Sequence, residues 1–554
     1  MAEIAQTVNK HVQNNVEPVA HPQPRSTQGP SRLSRLDESD FVTVTEDREL
    51  RRGLHQRHVS LIAIAGAIGT GLFLGLGGSI QTAGPLGALL GYATIGVVVC
   101  AVQFALGEVT ALLPVTGSFV RHAELLIDPA FGFAIGYNLV YGNCLSIPAE
   151  ITAICVLLQY WTDINPSIWI LLFIAMTVAV GLSFIGIYGE VEFWFALLKI
   201  LFIVFLIILG LIIDLGGVSG TPRTGFKYWK NPGPFVEYIA TGSWGKFLGY
   251  WAVMSNAVFS FAGTESIAMA AAETRHPRVA IPKACKRVFI RVSIFYILAV
   301  LIVGMLVPSN DPRLDDQSGT AAQSPFVIAA SAAGLKGVPS LVNAVVIASA
   351  WSSSNQALLS GTRVLYGLAL KNQAPRVFLR TTPWGVPYVC VLFFAAFMFL
   401  AFMSLSEGAL TVFWWLVDLT ACGVLISWIT VLLNHLRLLR AMNAQGLELK
   451  MLPWHSRWTE FSTPVALFLC VVILLTAGFP VFTKGNWSTS GFIASYLDIP
   501  LVATAYAVWK IYKRTAIVNL SEIPLEEALT RAAEDIEPET KLPKWRQVIG
   551  FLWD

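Results

Sequence analysis

VSLIAIAGAIGTGLFLGLGGSI, residues 59–80, is the stretch whose reading decides the fold. It carries no charge and is long enough to cross a bilayer, which takes about 20 apolar residues. It is also a poor helix. Gly66, Gly69, Gly71, Gly75, Gly77 and Gly78 interrupt it, and glycine costs about 1 kcal/mol against alanine inside a helix. Two readings account for this. In one, the span breaks near Gly69–Thr70–Gly71; the freed backbone N–H and C=O groups cannot face lipid and must line a protein cavity. In the other, the small residues let a second helix approach closely.

Working outward, the composition is that of a polytopic membrane protein. Of 554 residues, 55% are hydrophobic and 13% charged, with a mean hydropathy of +0.62. Soluble domains carry about 25% charged residues. The net charge of +3 identifies no partner, and nothing points to nucleic acid. The seven cysteines lie mostly in apolar runs without CxxC or Cys/His spacing, so neither a disulfide framework nor a metal site is implied. HExxH, GxSxG in a plausible context and GxxxxGK[ST] are missing, and the eight histidines read as tail and loop residues. The chain therefore reads as a non-enzyme without a cofactor.

Residues 1–50 are rich in Gln, Asn, Pro, Ser and charge and read as a disordered tail without a signal-peptide h-region. Arg48, Arg51, Arg52 and Arg57 precede the first span, which places this tail in the cytoplasm. Twelve apolar spans follow, at about 59–80, 86–113, 131–160, 167–186, 193–213, 247–272, 286–307, 339–370, 386–405, 409–436, 463–482 and 490–512. The connections 273–287, 371–384 and 437–460 are rich in Lys and Arg, while 81–85 and 406–408 have none, as the positive-inside rule requires. The connection 187–192 holds only Glu190 and Glu192. The expected organisation is a transmembrane domain over 51–515 and a cytoplasmic C-terminal tail over 516–554, with both termini inside.

Span 6 is also interrupted, by Ser260, Gly263, Thr264, Glu265 and Ser266. A carboxylate at mid-bilayer costs roughly 2.5–3.5 kcal/mol on insertion scales. Glu265 is thus either functional or hydrogen-bonded to backbone that the break exposes, and the two are compatible. The breaks lie five spans apart, so the two halves cross in opposite senses. Paired interruptions of this kind mark inverted-repeat transporters with a midplane site. A helix beginning at a break suits a carboxylate, and a helix ending at one suits an ammonium, so two breaks side by side suit a zwitterion. Lys199, within an apolar span, is a proton carrier, a fixed cation or a snorkelling lysine. Glu150, Asp418 and, most weakly, Glu108 are further intramembrane acids.

GAIGTGLF at 66–73, GEVTALLPVTGSF at 107–119, FSFAGTES at 259–266, HPRVAIPKA at 276–284, RVLYGLA at 363–369 and HLRLLRAMNAQG at 435–446 resemble the fungal amino acid permeases of the amino acid–polyamine–organocation superfamily. The resemblance spans about 48–520. GMLVPSNDP, FTKGNWS and FIASY resemble the dicarboxylic amino acid permease branch. The resemblance implies an all-α, LeuT-like fold of twelve transmembrane helices: a 5+5 inverted repeat plus two, with helices 1 and 6 discontinuous. It implies a proton-coupled symporter importing amino acids across the plasma membrane by alternating access. The substrate carboxylate would meet Thr70 and Gly71, in the turn with Gly69, and its ammonium the carbonyls of Ala67, Phe259 and Ala262. Phe259 and Phe261 would gate, and Lys199, Glu265 and Glu150 would serve coupling or specificity. Ubiquitin-ligase machinery would act on tail lysines such as Lys10, Lys541 and Lys544. The alternatives are a permease-like nutrient sensor and a carrier of another amine, such as GABA or a polyamine.

Overall fold

The computed structural model describes residues 69–534, apart from 74, 116, 163, 184, 269–276, 316–323 and 408. The expected tail over 1–50, the first part of span 1 including Ala67, and residues 535–554 lie outside the described residues. All regular structure among the described residues is helical. We label the main helices α1 (Thr70–Phe73), α2 (Gly75–Leu112), α3 (Ser118–Leu126), α4 (Pro129–Leu158), α5 (Pro166–Gly181), α6 (Ile185–Asp214), α7 (Gly242–Ser260) and α8 (Pro277–Leu306). There follow α9 (Pro325–Ala332), α10 (Val338–Leu370), α11 (Tyr388–Met398), α12 (Ala409–Ala444), α13 (Arg457–Thr476), α14 (Thr489–Tyr496), α15 (Asp498–Lys513) and α16 (Leu525–Glu534).

Six helices among the described residues are long and apolar enough to cross a membrane, or seven if the bent pair α14 and α15 is one span. Other apolar runs also form helices, among them α7, α8 and α10. Inward-facing polar groups lower the hydropathy of such helices: α10 buries Ser349, Ser352, Ser354, Asn355 and Gln356. Two boundaries differ from the sequence reading. Residues 187–192 are no loop, because α6 begins at Ile185 and carries Glu190 and Glu192. Part of the expected tail is docked: Leu525, Ala528, Leu529 and Ala532 of α16 are buried with Val109, Leu112, Leu126 and Leu438. Gln445 donates to the carbonyls of Leu520 (2.7 Å) and Ile523 (2.8 Å) beside them.

Local chemistry sets the helix ends. Asp128 accepts the Ala130 N–H at 2.9 Å and Pro129 opens α4; Asn165 and Pro166 repeat the device at α5, with a 2.9 Å bond from the Ser167 N–H. Arg278 donates to the terminal carbonyls of Ala111 (3.1 Å) and Leu112 (2.8 Å), which ties α8 to the end of α2. Within α2 the chain kinks at Gly84, whose φ of 77° suits glycine and where a Cβ would stand 2.8 Å from Phe235 Cα. So α2 is two helices, 75–83 and 85–112. α7 and α8 pack along α2, and α10 and α12 pack along α4; the candidate site lies where these two groups meet.

Candidate functional site

α7 ends at Ser260, and groups freed at that end find partners. The Ala262 N–H bonds to the Phe259 carbonyl at 3.1 Å, and the Tyr296 hydroxyl donates to the Ser260 carbonyl at 2.7 Å. The chain then turns at Gly263 (φ 86°) into a 3₁₀ turn, Thr264–Ala268. Glu265, in that turn, accepts the Gly263 N–H at 3.4 Å and the Trp428 indole N–H of α12 at 3.2 Å. It therefore fastens the interrupted segment to α12 as well as facing the cavity.

Helix α1 starts at Thr70 against this interruption. A Cβ on Gly71 would lie 2.9 Å from both Cα and Oγ of Ser260 and 3.0 Å from Phe259 Cδ1. Only a glycine lets the two backbones come so close. The packing reading of the glycine-rich stretch thus has a counterpart here, while the residues before Gly69, on which the break reading depends, lie outside the described residues.

Beside that contact lies a cavity of about 110 Å³, lined by Gly69, Thr70, Gly71, Glu150, Phe259, Ala262, Gly263 and Glu265 together with residues of α4, α10 and α12. Four of its lining groups have a buried polar atom without a hydrogen-bond partner of normal geometry among the described residues: Thr70 Oγ1, Asn138 Oδ1, Glu150 Oε2 and Ser353 Oγ, of which the Thr70 hydroxyl and the Glu150 carboxyl face each other. Buried polar atoms are normally paired, so a cluster of unpaired ones facing one cavity fits a polar occupant. Among the described lining residues none is basic.

Most of the residues singled out from the sequence converge on this cavity. Phe261 does not line it; its ring stacks on Tyr296 at 4.6 Å and lies 6.5 Å from Tyr92. Lys199, 1% exposed, lies behind the cavity wall and interacts electrostatically with Glu192 and Glu150. Glu192 is fully buried and accepts the Ser352 hydroxyl at 2.7 Å. Sequence reasoning set Glu192 in a loop. Its spacing of seven from Lys199, two helical turns on one face, was the available signal. Asp418 lines a separate cavity of about 290 Å³ on the other side of α12.

The sequence reading also undervalued Glu108. It is fully buried and joins three helices. The Thr459 hydroxyl donates to it at 2.6 Å and the Ser456 N–H at 2.8 Å; His435 lies at 2.7 Å and His455 at 3.3 Å. His435 is buried within α12, not in a loop, and its other ring nitrogen stands 3.1 Å from the Thr463 hydroxyl. These partners are more than 300 residues away from Glu108, so no local pattern announces them.

Among the described residues no group of three or more His, Cys, Asp and Glu is arranged to hold a metal ion. The fold is shared with two solved transporters. The Eremococcus coleocola manganese transporter superposes with a TM-score of 0.54 at 12% identity, over 86% of this chain and 95% of that one. A Na+-coupled sialic acid symporter gives 0.50 at 13% identity, over 79% and 92%. Sequence similarity is closer to fungal permeases. The proline-specific permease of Emericella nidulans is 39% identical over 87% of this chain and 89% of its own. The dicarboxylic amino acid permease of Saccharomyces cerevisiae is 35% identical over 87% and 80%, and its basic amino-acid permease 34% over 92% and 89%. These identities are too even to single out the dicarboxylic branch. The amino acid permease family profile matches residues 58–522, and with it the chain's helices, its interrupted segment at Ser260–Thr264 and its central cavity find their context: the protein belongs to the amino acid permease family.

Proposed function

We propose that this permease is a proton-coupled symporter that brings amino acids across the plasma membrane by alternating access. It has twelve spans in a 5+5 inverted repeat plus two, with spans 1 and 6 discontinuous and both termini in the cytoplasm. The observation that carries the reading is the cavity where the Thr70 helix start meets the end of α7, with unpaired polar atoms around it. The substrate carboxylate sits at the N–H groups beside Gly69, Thr70 and Gly71, where the helix dipole favours negative charge. The ammonium meets the carbonyls of Phe259 and Ala262 and that of Ala67. Phe259 closes over the substrate. Glu150 stands between the cavity and the Lys199–Glu192 group and links occupancy to the charge behind it; Glu265 and Lys199 take part in coupling.

The relatives are named for acidic and basic amino acids and for proline, which supports the amino acid class as a whole. The described lining offers hydroxyls, amides and two carboxyls, and no cation for a second substrate carboxylate. Neutral amino acids are therefore the favoured class. Replacing Thr70–Gly71 with Leu–Leu, in cells lacking other permeases, is expected to abolish uptake of labelled amino acids while the protein still reaches the membrane. Undiminished uptake by that variant removes the site. Competition by Asp, Glu, Pro, Leu, Arg and GABA against one labelled substrate then reads the side-chain preference, and dominance of Asp and Glu overturns the neutral class.

A further inference from the structure

One fully buried acid has no place in the site described so far. Asp498 is the first residue of α15, where α14 and α15 meet at a 48° bend. Neither of its carboxyl oxygens has a hydrogen-bond partner of normal geometry among the described residues. The titratable groups that face it are the Tyr141 hydroxyl of α4 and the Cys422 thiol of α12. Among the described residues no cation answers its charge there, whereas Lys199 lies in the field of two carboxyls.

Its position is between two cavities. Towards the central one it abuts Gly423: a Cβ there would stand 3.1 Å from Oδ2 of Asp498 and 3.6 Å from Oδ1 of Asn138. Gly423 and Asn138 both line the central cavity, and the Asn138 amide donates to the Gly423 carbonyl at 3.0 Å. On the other side Cys422, which abuts the Asp498 backbone, lines the second cavity of about 290 Å³ with Asp418, Asn256 and Ser495. Cavities of that size with polar walls hold water.

We infer that Asp498 is a proton-carrying carboxyl between these cavities, a role that rests on the proton-coupled reading above. An O–H bond forms on Asp498 from a hydronium ion in the second cavity. It breaks again when the proton passes, at Gly423, to water in the central cavity; no electrons change hands. An unanswered charge at a buried site is unfavourable, so the proton crosses as the helices around it rearrange, and the bend at Leu497 gives α15 a place to move.

The test uses the whole protein in proteoliposomes. The probe is whichever of labelled aspartate, proline, leucine and lysine the wild type accumulates, with a lumenal pH dye. Asp498→Asn is expected to keep substrate counterflow within about twofold and to lose gradient-driven accumulation and proton influx by more than tenfold. Accumulation as in the wild type, or loss of counterflow in a variant recovered in normal amount, overturns the inference. If Asp498→Asn is not recovered from the membrane, Asp498→Glu takes its place: coupled accumulation with a shifted pH dependence supports the role, and an unchanged pH dependence overturns it. A wild type that accumulates substrate without a proton gradient refutes the coupled symport reading itself, which separates the two failures.

Discussion

Gly71→Ala tests the contact on which the site depends. The added carbon would lie 2.9 Å from Ser260 Cα and 2.9 Å from Ser260 Oγ, against an ordinary carbon contact of about 3.5–4.0 Å. One partner must retreat by about 0.6–1.1 Å. Ser260 cannot do so cheaply. Its hydroxyl donates to the Asn256 carbonyl at 2.8 Å and lies 3.2 Å from the Tyr92 hydroxyl, while its carbonyl is held by Tyr296 at 2.7 Å. The start of α1 moves instead, and with it the Thr70 and Gly71 N–H groups. Overpacking of this kind costs about 1–3 kcal/mol, against which helix propensity returns about 1 kcal/mol. The net cost is then up to about 2 kcal/mol, and since about 1.4 kcal/mol is tenfold in a rate, initial uptake per molecule at the membrane is expected to fall by up to about thirtyfold. The same stretch supplies its own controls. A Cβ on Gly75 would meet only Trp414, at 3.9 Å, and on Gly78 it would meet nothing within 4 Å. Gly75→Ala and Gly78→Ala should transport as the wild type does and melt at the same or a higher temperature in detergent. Gly69→Ala falls between, because it meets only the side-chain ends of Ser353 (3.2 Å) and Glu150 (3.5 Å). Wild-type uptake by Gly71→Ala, or equal damage at Gly75 and Gly78, refutes the argument from close approach.

Two further outcomes concern stability. Glu108→Ala strands the Thr459 hydroxyl, the Ser456 N–H and His435 in a buried setting, a loss of about 3 kcal/mol or more, read as a lowered melting temperature in detergent; an unchanged melt contradicts the linking role. Asp128, just ahead of α4, is pushed up by burial, but bonds from Lys510, the Ala130 N–H and Thr515 outweigh this and hold its carboxyl below the usual range. Its folded pKa is thus below its unfolded one, so its contribution is whole above the ordinary carboxylate range and fades as pH falls through the folded value. The melting difference between wild type and Asp128→Asn should therefore shrink on acidification, and a difference that grows as pH falls contradicts the assignment.

The helices were legible because lipid allows the backbone few alternatives: α4 runs Pro129–Leu158 where the apolar run suggests 131–160, and α10 runs Val338–Leu370 where it suggests 339–370. The end of α7 was legible for the same reason, since GTES inside an apolar run has no other explanation than a turn, and Gly263 makes it. What hydropathy could not read was polarity satisfied at a distance. Glu190 and Glu192 lower the local average and look like a loop, although Glu192 is held by Ser352, which lies 160 residues further on. Leu525 and Leu529 look like tail residues until Leu438 and Val109 are seen beneath them.

The same limit governs how an intramembrane acid is read. Depth in the membrane says that a carboxyl is expensive, and by that measure Glu108, Glu265 and Asp498 are alike. Their partners separate them. Glu108 and Glu265 each accept two or more bonds from groups on different segments, so their cost is offset by holding those segments together. Removing the Glu108 carboxyl should first be felt in stability, whereas Glu265 also faces the central cavity. Asp498 accepts no bond of normal geometry among the described residues, faces only the Tyr141 hydroxyl and the Cys422 thiol, and stands at a bend between two cavities. If a buried acid contributes nothing to packing, its cost has to be met by what it does during the cycle. That is why Asp498→Asn should leave the fold and substrate exchange in place and remove only the coupling.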